Sequence, residues 1–256
     1  MASSVPIVIL TSLEIKTMKT TIKSILLLLV ITSCQFKNSF TVKGNRTVTS
    51  EERKIQDFFE NIEISNGITL LLSEGKKGLL RVEADENIHE HIFTEVSNGT
   101  LKIYTDANTR STKAKKVYVT TSGLKGIYAS SGSTVITKNE LIANQIDLKT
   151  SSGASMDIHL NANLIDASSS SGSSMSLQGS THELDSKTSS GSQINAKELI
   201  AELTNAKASS GSEITIYTTD YLNAVVSSGA HISSYGNPKE INQKKSSGGM
   251  IALNKK

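Results

Sequence analysis

Residues 151–191, SSGASMDIHLNANLIDASSSSGSSMSLQGSTHELDSKTSSG, hold three copies of the triplet Ser-Ser-Gly and the two segments between them. Across the chain the triplet returns seven times, with its glycines at Gly132, Gly153, Gly172, Gly191, Gly211, Gly229 and Gly248. The steps between glycines are 21, 19, 19, 20, 18 and 19 residues. A period this steady marks a repeated structural unit.

Lined up on the glycine, the repeats become columns that alternate with the two-residue period of a β-strand. Three residues beyond it stand Val135, Met156, Met175, Ile194, Ile214, Ile232 and Ile251, all apolar. Five beyond come Thr137, Ile158, Leu177, Ala196, Ile216, Ser234 and Leu253, and between these two columns lie Asp157, Ser176, Asn195, Thr215 and Ser233. The strand before the glycine repeats the rhythm. Ile146, Ile165, Leu184, Thr204, Leu222 and Ile241 precede it by seven residues, and Leu148, Ala167, Ser186, Ala206, Ala224 and Gln243 by five. The intervening polar columns are Asp147, Asp166, Asp185, Asn205, Asn223 and Asn242, then Lys149, Lys187, Lys207 and Lys244.

Equivalent residues recurring once per coil are the pattern of a parallel β-solenoid, whose strands stack about 4.8 Å apart. The expected fold is all-β, a parallel β-helix with rungs of about 19 residues. Glycine suits the corner, where the chain needs positive φ or a close backbone approach. The paired serines beside it are expected to stack as a hydroxyl ladder. A flexible Gly/Ser linker has no reason to keep Met or Ile in one column.

The formal net charge is +3, with no tryptophan and two prolines. Removing residues 1–33 would take away Lys16, Lys19, Lys23 and Glu14, three cations and one anion, leaving +1. A near-neutral surface gives no nucleic-acid footprint. Met18 reads as the natural start, which makes residues 1–17 an upstream extension. Lys19 and Lys23 then precede the apolar run ILLLLVI at 25–31, too short for a permanent span and suited to an export signal over 18–33. That run ends in Ile31-Thr32-Ser33-Cys34, which resembles the lipobox of bacterial lipoproteins and makes Cys34 the lipidation site. Cys34 is the single cysteine, so no intrachain disulfide supports the fold. Gln35 in place of an aspartate favours the outer membrane, and residues 34–50 read as acylated cysteine and tether.

Between Lys54 and Val119 the turn signals stand further apart than the Ser-Ser-Gly period, at Ser65-Asn66-Gly67, Gly75, Asp85-Glu86-Asn87 and Ser97-Asn98-Gly99. An irregular cap plus the first coils is expected there, because the end rung of a solenoid must shield its core. Three stretches carry a wider likeness: FFENIEISNGITLLLSEG (58–75), LLRVEADENIHEHIFTEVSNGTLKIYT (79–105) and KKVYVTTSGLKGIYASSGST (115–134). Through them the chain resembles the head GIN domain family of auto-transporter adhesins, over nearly all of residues 54–256. The resemblance implies a right-handed parallel β-helix on a secreted or surface-exposed protein of Bacteroidetes type, with a domain over residues 51–256. It implies no catalytic residue.

Several residues still invite chemistry. The file of Asp147, Asp166, Asp185, Asn205, Asn223 and Asn242 could share a hard cation, but the neighbouring lysines are placed to neutralise it, and no calcium-loop spacing is present. Asp157 and Glu213 stand without acidic neighbours, unlike the paired carboxylates of sugar-cleaving enzymes. His89 and His91 could begin a zinc site, but no third ligand lies nearby, so exposed side chains are expected. Tyr217 and Tyr221 flank one loop and could offer a sugar a small aromatic platform.

No catalytic residue, metal or cofactor is expected. The reading is a lipid-anchored, non-catalytic display or adhesion module, with glycans, surface proteins and the membrane as partners. A carbohydrate-active β-helix protein and a self-associating envelope protein are the alternatives. Replacing Cys34 by Ala should move the protein from the membrane to the soluble fraction; persistence in the membrane pellet would remove the anchor.

Overall fold

The computed structural model describes residues 40–254, apart from 56, 77 and 79. The expected export signal, the expected lipidation site Cys34 and the first part of the expected tether lie outside the described residues. The chain starts with β1 (Thr41–Lys43), β2 (Val48–Arg53), β3 (Asn61–Ile64), β4 (Thr69–Glu74) and β5 (Leu80–Asp85). After a 3-10 helix (Glu86–His91) come β6 (Ile92–Ser97), β7 (Thr100–Thr105), β8 (Asn108–Arg110), β9 (Lys115–Thr121), β10 (Gly126–Ala129) and β11 (Thr134–Thr137). The regular body is β12 (Leu141–Thr150), β13 (Ser155–Ser169), β14 (Ser174–Thr188), β15 (Gln193–Ala208) and β16 (Glu213–Val226), closed by β17 (His231–Tyr235), β18 (Glu240–Lys245) and β19 (Met250–Asn254).

From β10 onward the protein is a parallel β-solenoid, and the expected columns are its interior files. Val135 pairs with Met156, Met156 with Met175, Met175 with Ile194, Ile194 with Ile214, Ile214 with Ile232 and Ile232 with Ile251. All but Ile251 are buried. Each buried aliphatic side chain here contributes about 1.5–3 kcal/mol relative to exposure. The files before the corner stay closed through Leu222 and Ala224, then open in the last coil, where Ile241 and Gln243 are exposed.

The corners are turns of two successive left-handed residues. In the third copy Ser171 has φ 54 and Gly172 φ 68, and all seven copies match this geometry. The amide after each glycine closes the turn, as in Ser173 N–H donating to Ser170 O at 3.3 Å. Nothing lies within 4 Å of where a Cβ would stand on the seven corner glycines. Positive φ, rather than close approach, therefore selects glycine here. Close approach governs Gly179 (φ 118) and Gly236 (φ 91), where an added Cβ would run into the carbonyl oxygens of Leu160 and Thr218.

The hydroxyl ladder is displaced from its expected place. The paired serines are half-buried or exposed at the tip of the corner. The buried hydroxyls stand one residue outside the triplet, because only those positions point inward. Thr150 Oγ1 donates to Ser169 Oγ at 2.9 Å, Ser173 Oγ to Ser170 O at 2.7 Å, and Ser212 Oγ to Thr188 Oγ1 at 2.9 Å. Each buried hydroxyl is thereby satisfied where the apolar files end.

The first coils do not stack in chain order. Ile62 of β3 pairs with Leu101 of β7 on one side and Ile127 of β10 on the other, and Leu70 of β4 lies between Val117 of β9 and Val135 of β11. The β3–β4 coil is thus sandwiched between two coils that follow each other in sequence. Beyond β7 and β9 the pairing turns antiparallel: β6 covers β7, and β5 covers β9 and carries β2 on its other edge. This is the cap, with Ile88 of the 3-10 helix fully buried. Strand β1 and the start of β2 fall within the stretch expected to be tether.

Asp85 locks the cap. Its fully buried carboxylate accepts backbone hydrogen bonds from Arg46 at 2.9 Å, Lys113 at 2.9 Å and Ala114 at 3.0 Å. Burial pushes its pKa up, and the amides of Ala114, Lys113 and Arg46 outweigh that and hold it below the ordinary value. A depressed carboxylate pKa adds stability above the unfolded-state value that is lost as pH falls through the folded one.

Two outcomes follow for folding. Gly191→Ala should cost about 1–2 kcal/mol through φ alone, whereas Gly179→Ala should cost about 3 kcal/mol or more because a backbone carbonyl must move; equal losses in denaturant melts would refute the distinction. Asp85→Asn should be destabilised by roughly 3 kcal/mol near neutral pH, three charge-assisted bonds being weakened. The gap to wild type should narrow as pH drops below about 4, and a gap flat with pH would contradict the depressed pKa.

Candidate functional site

Strands before each corner expose two adjacent columns, since residues two apart share a face. The first is the expected file, and the register places Asp147, Asp166, Asp185, Asn205, Asn223 and Asn242 one above another. The second runs Tyr128, Lys149, Ser168, Lys187, Lys207, Val225 and Lys244.

Electrostatics divides these files into two halves. In the upper half Lys149 Nζ donates to Asp147 Oδ2, and this hydrogen bond holds the lysine's pKa above its usual value. Tyr128 donates to the same oxygen at 3.3 Å, with the Lys149 ammonium 5.3 Å from its ring centre. Burial and then the Asp147 charge push the Tyr128 hydroxyl up. Lys187 reaches Asp166 Oδ2 at 3.6 Å. In the lower half the carboxylates give way to amides: Asn223 Nδ2 donates to Asn205 Oδ1 at 3.4 Å, and Asn205 Nδ2 to Glu183 Oε1 at 3.4 Å. Among the described residues Lys207, Lys244 and Asp185 form no ion pair.

Between the lysine column and the corner serines runs an open trough of about 550 Å³. Lys149, Lys187 and Lys207 form one wall, and Ser151, Ser170, Ser189, Ser209 and Ser227 the other. A second hollow of about 370 Å³ shares Lys149 and Ser151 and extends the trough past Tyr128 to Glu63. Among the described residues the corner serines' side chains donate no hydrogen bond, so a hydroxyl is presented on every rung. The lysine column was visible in the sequence as neutralisation for the aspartates. Its role as a trough wall needed the corner geometry.

Other expected sites disperse. Tyr217 and Tyr221 lie within the single strand β16 and do not flank a loop; Tyr217 pairs in register with Tyr235, and Tyr221 with Leu203 and Glu240. His89 and His91 are half-buried on the 3-10 helix and not exposed on a strand, because that helix packs into the cap. The His89 ring meets Thr49 Oγ1 at 3.0 Å and Glu51 Oε2 at 3.3 Å, and His91 Nδ1 meets Asp106 Oδ1 at 3.0 Å. Asp157 lies between Ile136 and Ser176, and Glu213 between Gln193 and His231. Among the described residues no three His, Cys, Asp or Glu side chains gather as a metal site.

The family model described as putative auto-transporter adhesin, head GIN domain, matches residues 58–238. The chain belongs to this family. Among solved structures, a putative adhesin from Bacteroides fragilis is similar at 20% identity and TM-score 0.77, over 83% of this chain and 100% of that one. A putative adhesin from Parabacteroides merdae is similar at 18% identity and TM-score 0.66, over 84% of this chain and 100% of that one. A structure titled putative lipid binding protein, from Parabacteroides distasonis, is similar at 19% identity and TM-score 0.68, over 84% of this chain and 99% of that one. At these identities the likeness establishes the shared solenoid. No curated protein matches the chain.

Proposed function

We propose that this head GIN domain chain is a non-catalytic cell-envelope lipoprotein that binds an extended ligand along the trough between its lysine and corner-serine columns. The supporting observation is the regular recurrence of one half-buried serine per rung beside that lysine wall, its hydroxyl donating to no described residue. Such an array offers donors at a spacing of about 4.8 Å along a rigid axis, which suits a polymer more than a compact metabolite. Membership of an adhesin-named family points the same way. The lipobox at Cys34 would tether the protein at the outer membrane.

The carbohydrate-active alternative needs two carboxyl groups facing each other across a cleft. Along the trough wall Asp147 and Asp166 are instead engaged by lysines on their own face. The self-association alternative needs an unprotected end. In the last coil Gln243 and Lys245 occupy the columns held above by Ala224 and Val226, and Lys245 Nζ donates to Ile251 O at 3.4 Å. A lysine standing in an interior column of the end coil opposes end-to-end pairing, even with Ile241, Met250 and Leu253 exposed there.

A glycan array probed with the full-length protein tests the reading. Binding should be confined to extended glycans and fall roughly tenfold or more in the Ser189→Gln, Ser209→Gln double variant, whose longer side chains fill the trough. New reducing ends or unsaturated products from a bound polysaccharide would show catalysis and refute the proposal, as would full binding by the double variant.

A further inference from the structure

Lys187 and Lys207 are register partners on adjacent rungs of the trough wall. Like charges directly opposite across a strand pair are destabilising. Elsewhere in these files the fold offsets such charge: Asp147 engages Lys149, and Asp166 engages Lys187 from one rung away. On the rung of Lys207 the corresponding acid is replaced by Asn205, whose amide is committed to Glu183 and Asn223. Asp185, the nearest carboxylate in the file, ion-pairs with neither lysine. Below, Asn223 lies beside Val225 and Asn242 beside Lys244, so no acid returns to the file beyond Asp185.

We infer that the lower trough, centred on Lys207 with Lys187 above and the Ser189 and Ser209 hydroxyls opposite, is an anion subsite that receives the carboxylate or sulfate groups of a linear acidic polysaccharide. This rests on the trough being the binding face and adds the chemical class of the ligand. An ammonium paired with hydroxyl donors satisfies an anionic oxygen through charge-assisted hydrogen bonds. The neutralised upper half, with Tyr128 exposing part of its ring beside Lys149, receives the uncharged portion of the same chain. A polysaccharide is favoured over a lipid surface because the lining residues are serines, threonines and lysines apart from Ala208 and Val225, so polar groups stand along a surface of short carbon stems and no large apolar side chain is offered to an acyl chain.

The test compares binding of the full-length protein to polygalacturonate, dextran sulfate and uncharged dextran, with anionic phosphatidylglycerol vesicles alongside. One or both charged polymers should bind at low salt and weaken steeply toward 1 M salt, where the screening length is about 3 Å. Lys207→Gln should reduce that binding roughly tenfold, a charge-assisted contact being lost. Val225→Lys, which extends the cation column by one rung, should tighten it severalfold, and the control Lys138→Gln on another part of the coil should leave it unchanged. The gain-of-binding variant keeps the outcome readable if Lys207→Gln misfolds.

Charged-polymer binding that ignores both Lys207→Gln and Val225→Lys overturns the inference, and so does preference for the vesicles. Equally tight binding to uncharged dextran that is lost only on filling the trough sinks the anion subsite while leaving the adhesive reading standing. Binding to none of the probes overturns the inference.

Discussion

The amide–carbonyl ladder at the corners is the constraint on which the solenoid depends. Each corner glycine N–H donates to the second serine's carbonyl one coil further on, from Gly132 to Ser152 through Gly229 to Ser247, at 3.0–3.1 Å. A left-handed serine costs about 1–2 kcal/mol by itself. Stacking seven such turns lets the strained backbone of each satisfy the next, so the strain is distributed along the axis and the coils are held in register. Once corners are superposed, the apolar columns have no choice but to superpose too.

That registration explains the surface as well as the core. A column that is fixed in space becomes a file of like groups, and like groups at one-rung spacing either repel or bond. Aspartates repel, so lysines are drawn beside them; asparagines bond to one another, so the lower file needs no cations. The lysines that remain there serve no internal neutralisation. The trough is therefore a consequence of the same stacking that builds the interior, with its chemistry set by which rungs carry acid and which carry amide.

The two ends are treated differently. At the N-terminal end the parallel ladder is terminated by antiparallel strands β5 and β6, and the buried Asp85 ties two separate backbone segments, at Arg46 and at Lys113-Ala114, to that cover. Termination at the other end falls to side chains, with Gln243 and Lys245 placed where the columns call for apolar residues. Both devices answer the same problem, an exposed strand edge above a hydrophobic core.

Within the repeats, the sequence alone determined the fold class, the coil length, the interior files and the Asp/Asn and lysine columns, because a side chain's face in a β-strand follows from its parity and parity is countable. It did not determine the stacking order of the first coils. Ser65-Asn66-Gly67 and Ser97-Asn98-Gly99 are the same tripeptide with the same pair of left-handed residues. One is a solenoid corner bonded to Ser131 of another coil, the other a two-residue hairpin turn joining antiparallel β6 and β7. Local backbone chemistry permits both, and the partner strands, more than thirty residues away for the first, decide between them. The trough was hidden for a different reason: its lysine and serine columns stand two residues apart in sequence, and only the stacking of corner on corner makes them line one hollow.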